Sequence, residues 1–291
     1  MPVGGQAVIE GVLMRNGDRL SVAVRRQRDG EIVVQNLPSR SKFQSLSEIP
    51  FVRGIFNLYD MLSTGIRALN LSVDLALEEE DEEFGIWEGV LTFGLAFVLA
   101  IGGFVLLPVW ATNSLWGMQG VNPVLFNLVE GGIRIGLFVL YLAAISSLSD
   151  IRRVFQYHGA EHMSVYAYEN DEELTVENAR KYGTAHPRCG TAFLMIVLVV
   201  AILVFSLVGN PPLLIKIGSR LLLLPVVAGI SYEILRFSGR HVDKVWLRPF
   251  LKPGLWLQKI TTRKPSDQQI EVALAALKSV VESESRQEAE V

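Results

Sequence analysis

Residues 90–109 read VLTFGLAFVLAIGGFVLLPV, twenty positions without Lys, Arg, Asp or Glu. As a helix, a run of this length crosses the hydrocarbon of a bilayer. Trp87 and Trp110 stand at its two ends, where interfacial indoles are favoured. Three more apolar runs follow, at about Pro123 to Leu148, Thr191 to Val208 and Leu213 to Leu235. Gly209-Asn210-Pro211-Pro212 is a tight break that turns the last two into a hairpin. The expected fold class is a mainly α membrane protein. It has four transmembrane helices, a small N-terminal β element, and helices in the cytoplasm or at the interface.

The bulk numbers agree with this. Half of the 291 residues are hydrophobic, and the mean hydropathy is +0.33. The net charge of -3 points to no polyanionic partner, and no nucleic acid is expected. A single cysteine cannot close an internal disulfide, so a reduced thiol on the cytoplasmic side is expected. The first twenty residues lack the pattern of a signal peptide. Lys and Arg are absent from 111–122 and from the 209–212 break, yet frequent in the N-terminal segment, in 149–190 and in the tail. Positive-inside asymmetry then puts both termini and the 149–190 insert of this multi-pass chain in the cytoplasm. Within the second span, Glu130 and Arg134 lie four apart and can pair on one face. Lys216 and Arg220, at the start of the fourth, are expected to snorkel to the outer surface.

Outside the spans the chain divides into segments. Residues 1–50 form a cytoplasmic β element. Gln6 to Met14 is one apolar segment interrupted by Glu10, Asn16-Gly17-Asp18 is a turn, and Leu20, Val22 and Val24 alternate like a half-exposed strand. Asp29-Gly30 is a second turn before Ile32-Val33-Val34. A carboxylate at Glu10 in such surroundings needs a partner or a metal. Residues 51–85 are an amphipathic helix, with Phe51, Ile55, Leu58, Leu62, Ile66, Leu69 and Val73 on one stripe, and an acidic linker. That stripe suits the β element, the membrane surface or a partner chain. The linker's acids, Glu78 to Glu83, read as solvated. The membrane domain covers 86–235. Residues 236–291 are an interfacial segment, where Trp246, Phe250 and Trp256 alternate with basic residues, and then a C-terminal helix.

The chemistry concentrates in Tyr157-His158-Gly159-Ala160-Glu161-His162. On a helix His158 and His162 fall one turn apart on one face, with Glu161 beside them. This is the H-x-x-E-H order of inverted zinc peptidases, where two imidazoles hold a metal and the carboxylate handles a proton. Three of the four histidines and the only cysteine lie within 32 positions, and His186-Pro187-Arg188-Cys189 completes the set. Catalytic zinc takes three protein ligands. The candidates for the third are His186, Cys189, Glu169 and Glu233, the last near the cytoplasmic end of span four. Glu161 is the expected proton acceptor. Cys189, at a helix start, is a ligand or a nucleophile with a histidine as base. A divalent transition metal, zinc by ligand type, is the expected cofactor.

Several of these stretches match the signatures of a known family. Gly4-Gly5-Gln6-Ala7-Val8-Ile9-Glu10-Gly11-Val12-Leu13-Met14-Arg15, the Tyr157–His162 stretch, His186-Pro187-Arg188-Cys189-Gly190-Thr191, Ser231-Tyr232-Glu233 and Thr261-Thr262-Arg263-Lys264-Pro265 resemble the YqhQ-like bacterial membrane proteins. Leu13 stands where a methionine is common. That family is a domain of unknown function, often described as predicted metal-dependent enzymes, so the resemblance implies metal chemistry and a place in a bacterial cytoplasmic membrane. The expected function is a membrane-bound metal-dependent enzyme, a hydrolase of unspecified substrate. The alternative is a scaffold or assembly factor that docks cytoplasmic protein partners. A transporter built on Glu130 and Arg134 would require a homo-oligomer.

Overall fold

The computed structural model describes residues 3–38, 49–77, 86–116, 122–209, 211–241 and 244–288. The acidic run 78–83 lies outside the described residues. Among the described residues, four helices are long and apolar enough to cross a membrane: Gly94–Leu115, Pro123–Ile145, Gly190–Val208 and Leu214–Arg240. The chain is a mostly helical membrane protein with a small antiparallel sheet.

The sheet has four strands in sequential order: β1 (Gly4–Val8), β2 (Gly11–Asn16), β3 (Arg19–Arg25) and β4 (Ile32–Leu37). The Gln6–Met14 segment expected as one piece is in fact a hairpin. Val8 pairs with Gly11, and the chain reverses at Ile9-Glu10. Glu10 adopts φ 52°, a left-handed conformation that costs a non-glycine residue about 1 kcal/mol or more. Its carboxylate is correspondingly tied down. Arg153 grips both oxygens and the Tyr157 hydroxyl donates at 3.2 Å. The partner anticipated for Glu10 is therefore an arginine from a helix far along the chain.

Strand β3 is buried along both faces, correcting the half-exposed reading. Its alternation is real, but each face has a cover. Leu20, Val22 and Val24 join Val8, Leu13, Ala68 and Ala76 on one side. Ala23 joins Val12, Met14, Tyr157, Met163, Ile270, Leu274 and Leu277 on the other. Small residues such as Ser21 and Ala23 alternate with the valines because a helix lies close above them too.

Those covers are α1 (Val52–Leu77) on one face, and α5 (Ser149–Glu169) with α10 (Asp267–Glu288) on the other. Helix α1 meets the sheet through its small residues Ala68, Ser72 and Ala76 and leaves its large apolar stripe outside. Ile55, Leu62, Ile66 and Leu69 are all exposed, as is Phe51 just before the helix. Helix α1 also packs closely on the last span: Gly54 lies against Tyr232 and Gly229, so that a Cβ on Gly54 would meet the Tyr232 Cβ at 2.8 Å.

In the membrane region, α2 (Ile86–Ile101) runs through a π-helical turn at Gly102–Leu106 into α3 (Leu107–Trp116). The irregularity has a cause. Pro108 offers no N–H to the carbonyl four residues before it, Phe104, and Arg134 Nε donates to that carbonyl at 2.9 Å. Helix α4 (Pro123–Ile145) follows, capped by the Asn122 side chain, which accepts from the Val124 N–H. It ends at Ser146, and α5 starts afresh after Leu148. After the short α6 (Val176–Ala179), helices α7 (Gly190–Val208) and α8 (Leu213–Arg240) pack together around Val200, Phe205 and Val227. Helix α9 (Arg248–Thr261) lies against α7, with Gly254 close enough to Ala192 that a Cβ would meet its Cβ at 2.7 Å. Trp246 and Trp256 stay exposed.

Lys216 and Arg220 do not snorkel. Both are buried beside Glu130: Arg220 donates to its Oε2 at 2.5 Å, and Lys216 Nζ stands 4.0 Å from the same oxygen. Arg134 donates to Oε1 at 2.6 Å. The carboxylate draws three cations inward because in hydrocarbon it has no water to turn to.

Candidate metal centre

The centre forms where the middle of α5, the start of α7 and the end of α9 converge. Helix periodicity stacks His158 over His162, their ring centroids 4.5 Å apart. Cys189 caps the N-terminus of α7, and its Sγ accepts from the Thr191 N–H at 3.4 Å. This delivers sulfur to 3.2 Å from His158 Nε2. One potential ligand atom from each of His158, His162 and Cys189 lies within 4.8 Å of the others.

Backbone carbonyls orient both rings. His158 Nδ1 meets the Thr261 carbonyl at 2.8 Å and His162 Nδ1 meets the Thr184 carbonyl at 2.5 Å. A carbonyl only accepts, so each Nδ1 carries its hydrogen and each neutral ring keeps a lone pair on Nε2. This is how imidazole ligands of metals are commonly held. Glu161 adds a further acceptor. Its Oε2 is 3.4 Å from His162 Nε2, and the side chain is buried. Burial pushes this carboxyl up. The His158 and His186 imidazoles and the Gly5 N–H pull the other way. Burial also holds the His162 imidazole below the ordinary histidine range, against the opposing pull of Cys189.

Tight backbone approaches make room for this. A Cβ on Gly5 would meet the Glu161 Cγ at 2.8 Å and the Leu13 carbonyl oxygen at 2.6 Å. A Cβ on Gly159 would run into the Arg263 carbonyl. Gly159 thus lets the extended segment after α9 hydrogen-bond to α5, where the Arg263 N–H donates to the Phe155 carbonyl at 2.9 Å.

The other candidate ligands are engaged elsewhere. His186 lies beside the centre, its ring 5.7 Å from that of His162 and 4.4 Å from that of Tyr166. Its Nδ1 accepts from the Arg188 N–H at 3.3 Å, which leaves Nε2 to donate to Glu169 at 3.3 Å. Burial lowers its pKa. Both nitrogens are therefore occupied. Glu169 is shared between His186 and Arg188. Glu233 is not brought to the imidazoles at all. Arg53 takes both of its oxygens, and the Phe51 N–H donates to Oε1 at 3.1 Å. Asn57 donates to the neighbouring Tyr232 hydroxyl at 2.9 Å. The Ser231-Tyr232-Glu233 motif therefore clamps α1 to the end of α8. Sequence reasoning missed the carbonyls of Thr184 and Thr261. Backbone acceptors have no residue signature, though Thr261 opens one of the family motifs.

A protein family described as "Protein of unknown function (DUF1385)" matches residues 49–283. The uncharacterized protein YqhQ of Bacillus subtilis (strain 168) is 33% identical over 300 residues, which cover 98% of this chain and 94% of the Bacillus protein. No solved structure matches. The family match takes in α1, all four spans and every residue around the two imidazoles except the N-terminal hairpin, and the chain belongs to the DUF1385 family.

Proposed function

We propose that the chain is a membrane-bound metal-dependent enzyme, a hydrolase, whose centre lies at the cytoplasmic face of a bacterial membrane. The observation that carries this reading is a convergence of electron pairs. Two imidazole Nε2 atoms with their hydrogens committed to the far side, a thiol sulfur and a carboxylate oxygen face one another in a buried space. Without a cation the Cys189 S–H can bridge to His158 Nε2, 3.2 Å away; a cation would take the place of that hydrogen. His158, His162 and Cys189 would hold that cation, and two imidazoles with a thiolate suit zinc best. When bound, the metal supplies Lewis acidity toward water and the substrate.

The chain's own groups supply the rest. Glu161 accepts a proton from the attacking water and, raised by burial, holds it long enough to return it to the leaving group. The Thr184 and Thr261 carbonyls keep the rings from turning. Orientation rests on the basic residues of 149–190 and their absence from 111–122.

Elemental analysis of the full-length chain, purified without chelator, tests the reading. About one zinc per chain is expected, and the His158→Ala, His162→Ala double variant should lack it. Metal-free wild type, under conditions in which a zinc protein keeps its ion, would overturn it.

The exposed stripe of α1 favours a second reading, a scaffold docking cytoplasmic partners. There Leu62→Glu abolishes cellular function while the histidine variants keep it; the reverse result favours the enzyme.

A further inference from the structure

The end of the bundle remote from the histidines carries a second polar cluster. Cys189 begins α7 and Gly209 ends it, so the two clusters are about 30 Å apart along that helix. Glu130 is paired with Arg134 and Arg220 and approached by Lys216. Three cations thus surround one carboxylate within the membrane-spanning segments. The pairing is incomplete in two ways. Arg220 is 7% exposed, and its Nη1 is buried without a hydrogen-bond partner among the described residues. The Lys216 ammonium, at 4.0 Å from Glu130, is beyond hydrogen-bond reach and lies over the Phe126 ring at 4.1 Å.

Both groups line one cleft. Its closed part is about 10 Å³, room for one water-sized group, and opens outward; it is bounded by Asn127, Phe205, Gly209, Lys216, Ser219 and Arg220. Most of the other polar groups around it are satisfied. Asn127 Nδ2 donates to the Pro123 and Gly209 carbonyls, and the Ser219 hydroxyl donates to the Lys216 carbonyl. The donors left over are Arg220 Nη1, without a hydrogen-bond partner among the described residues, and the Lys216 ammonium, whose carboxylate partner Glu130 stands 4.0 Å away. A guanidinium and an ammonium lining one small cleft suit a phosphate group, one oxygen of which is small enough to enter and accept from them while the rest stays at the open mouth.

We propose that this cleft binds an anionic phosphate group through Arg220 Nη1 and Lys216 Nζ. Two sources supply such a group: the headgroup of an anionic phospholipid, and a soluble phosphate. Glu130 sets the position of Arg220 and holds part of its charge, so it competes with the ligand while aiming its partner.

The test uses the full-length chain in nanodiscs of phosphatidylcholine containing graded phosphatidylglycerol. Native mass spectrometry counts retained lipids, and thermal shifts follow added inorganic phosphate. Retention of phosphatidylglycerol that phosphate does not displace identifies a headgroup site. Stabilisation by phosphate in pure phosphatidylcholine identifies a soluble anion. Lys216→Met and Arg220→Gln should each weaken the bound species about tenfold. Lys216→Met leaves the Glu130 pairs intact and keeps the test readable should Arg220→Gln fail to assemble. Glu130→Gln should become dependent on the anion, losing thermal stability in phosphatidylcholine and regaining it with phosphatidylglycerol or phosphate. The proposal is overturned if wild type neither retains phosphatidylglycerol over phosphatidylcholine nor shifts with phosphate. It is equally overturned if Lys216→Met binds as wild type does.

Discussion

The two polar clusters of this chain differ in what they lack. Around His158 and His162, backbone carbonyls take the Nδ1 hydrogens, and the two Nε2 lone pairs face inward with the Cys189 sulfur. Around Glu130 the reverse holds: cations outnumber the carboxylate, and a donor nitrogen is left over. The first arrangement suits a cation and the second an anion. The lesson concerns the surrounding backbone. Helix α5 sits among loops whose carbonyls are free to accept, so neutral rings can be oriented there without charge. In the spans almost every carbonyl is spent on its own helix. Charge must then answer charge, and the Phe104 carbonyl freed by Pro108 is an exception that Arg134 uses.

The contrast can be broken most severely at the sulfur. Serine caps a helix at least as well as cysteine, so Cys189→Ser should fold normally while removing the sulfur proposed as a ligand. Zinc per chain is expected to fall from about one to a small fraction. Full occupancy in that variant would remove Cys189 from the set and leave two imidazoles alone.

Next in size is the carboxylate of the second cluster. Glu130→Gln strands the charges of Arg134 and Arg220, a change that costs about 3 kcal/mol in buried sites. Unfolding in zwitterionic detergent should shift down accordingly, with metal content untouched. Loss of metal as well would mean that the clusters are coupled.

Gly159→Ala should cost about 2 kcal/mol, because the new methyl presses on the Arg263 carbonyl and one of the two must move. Helix α9 carries Thr261, so the variant should also loosen the His158 ring and weaken metal retention. A variant as stable as wild type would show that this approach is relaxed in solution.

The smallest effect is one of pH. Burial lowers the pKa of both His162 and His186. As pH falls through about 6.5, the unfolded chain takes up protons before the folded one does. Their contribution to stability is therefore complete above that range and declines below it. Glu161, raised by burial, has the opposite sign and loses stability as pH rises through its own elevated value. In chelator-treated protein, thermal unfolding should come earlier at about pH 5.5 than at about pH 7.5, and His186→Asn should flatten that slope. A slope unchanged by His186→Asn would assign the whole effect to other groups.

Four spans, the β element and the pairing of His158 with His162 were all legible before any coordinates. Each depends on neighbours in sequence: an unbroken apolar run, a turn dipeptide, a spacing of one helical turn. The hairpin at Ile9-Glu10 was not legible, because glutamate seldom takes a positive φ and nothing local announces the arginine that holds it there. The direction of α1 was hidden for a related reason. Its larger apolar side chains made the stronger stripe, yet the sheet took Ala68, Ser72 and Ala76, which allow close approach.

Among the ligand candidates, residue type and spacing reduced the whole chain to a handful and could do no more. Cys189 joined the imidazoles, His186 turned to Glu169, and Glu233 went to Arg53. That sorting was a tertiary decision. A ligand set depends on which lone pairs meet in space. Those directions were imposed by backbone carbonyls at Thr184 and Thr261, groups that every residue possesses and no sequence pattern marks.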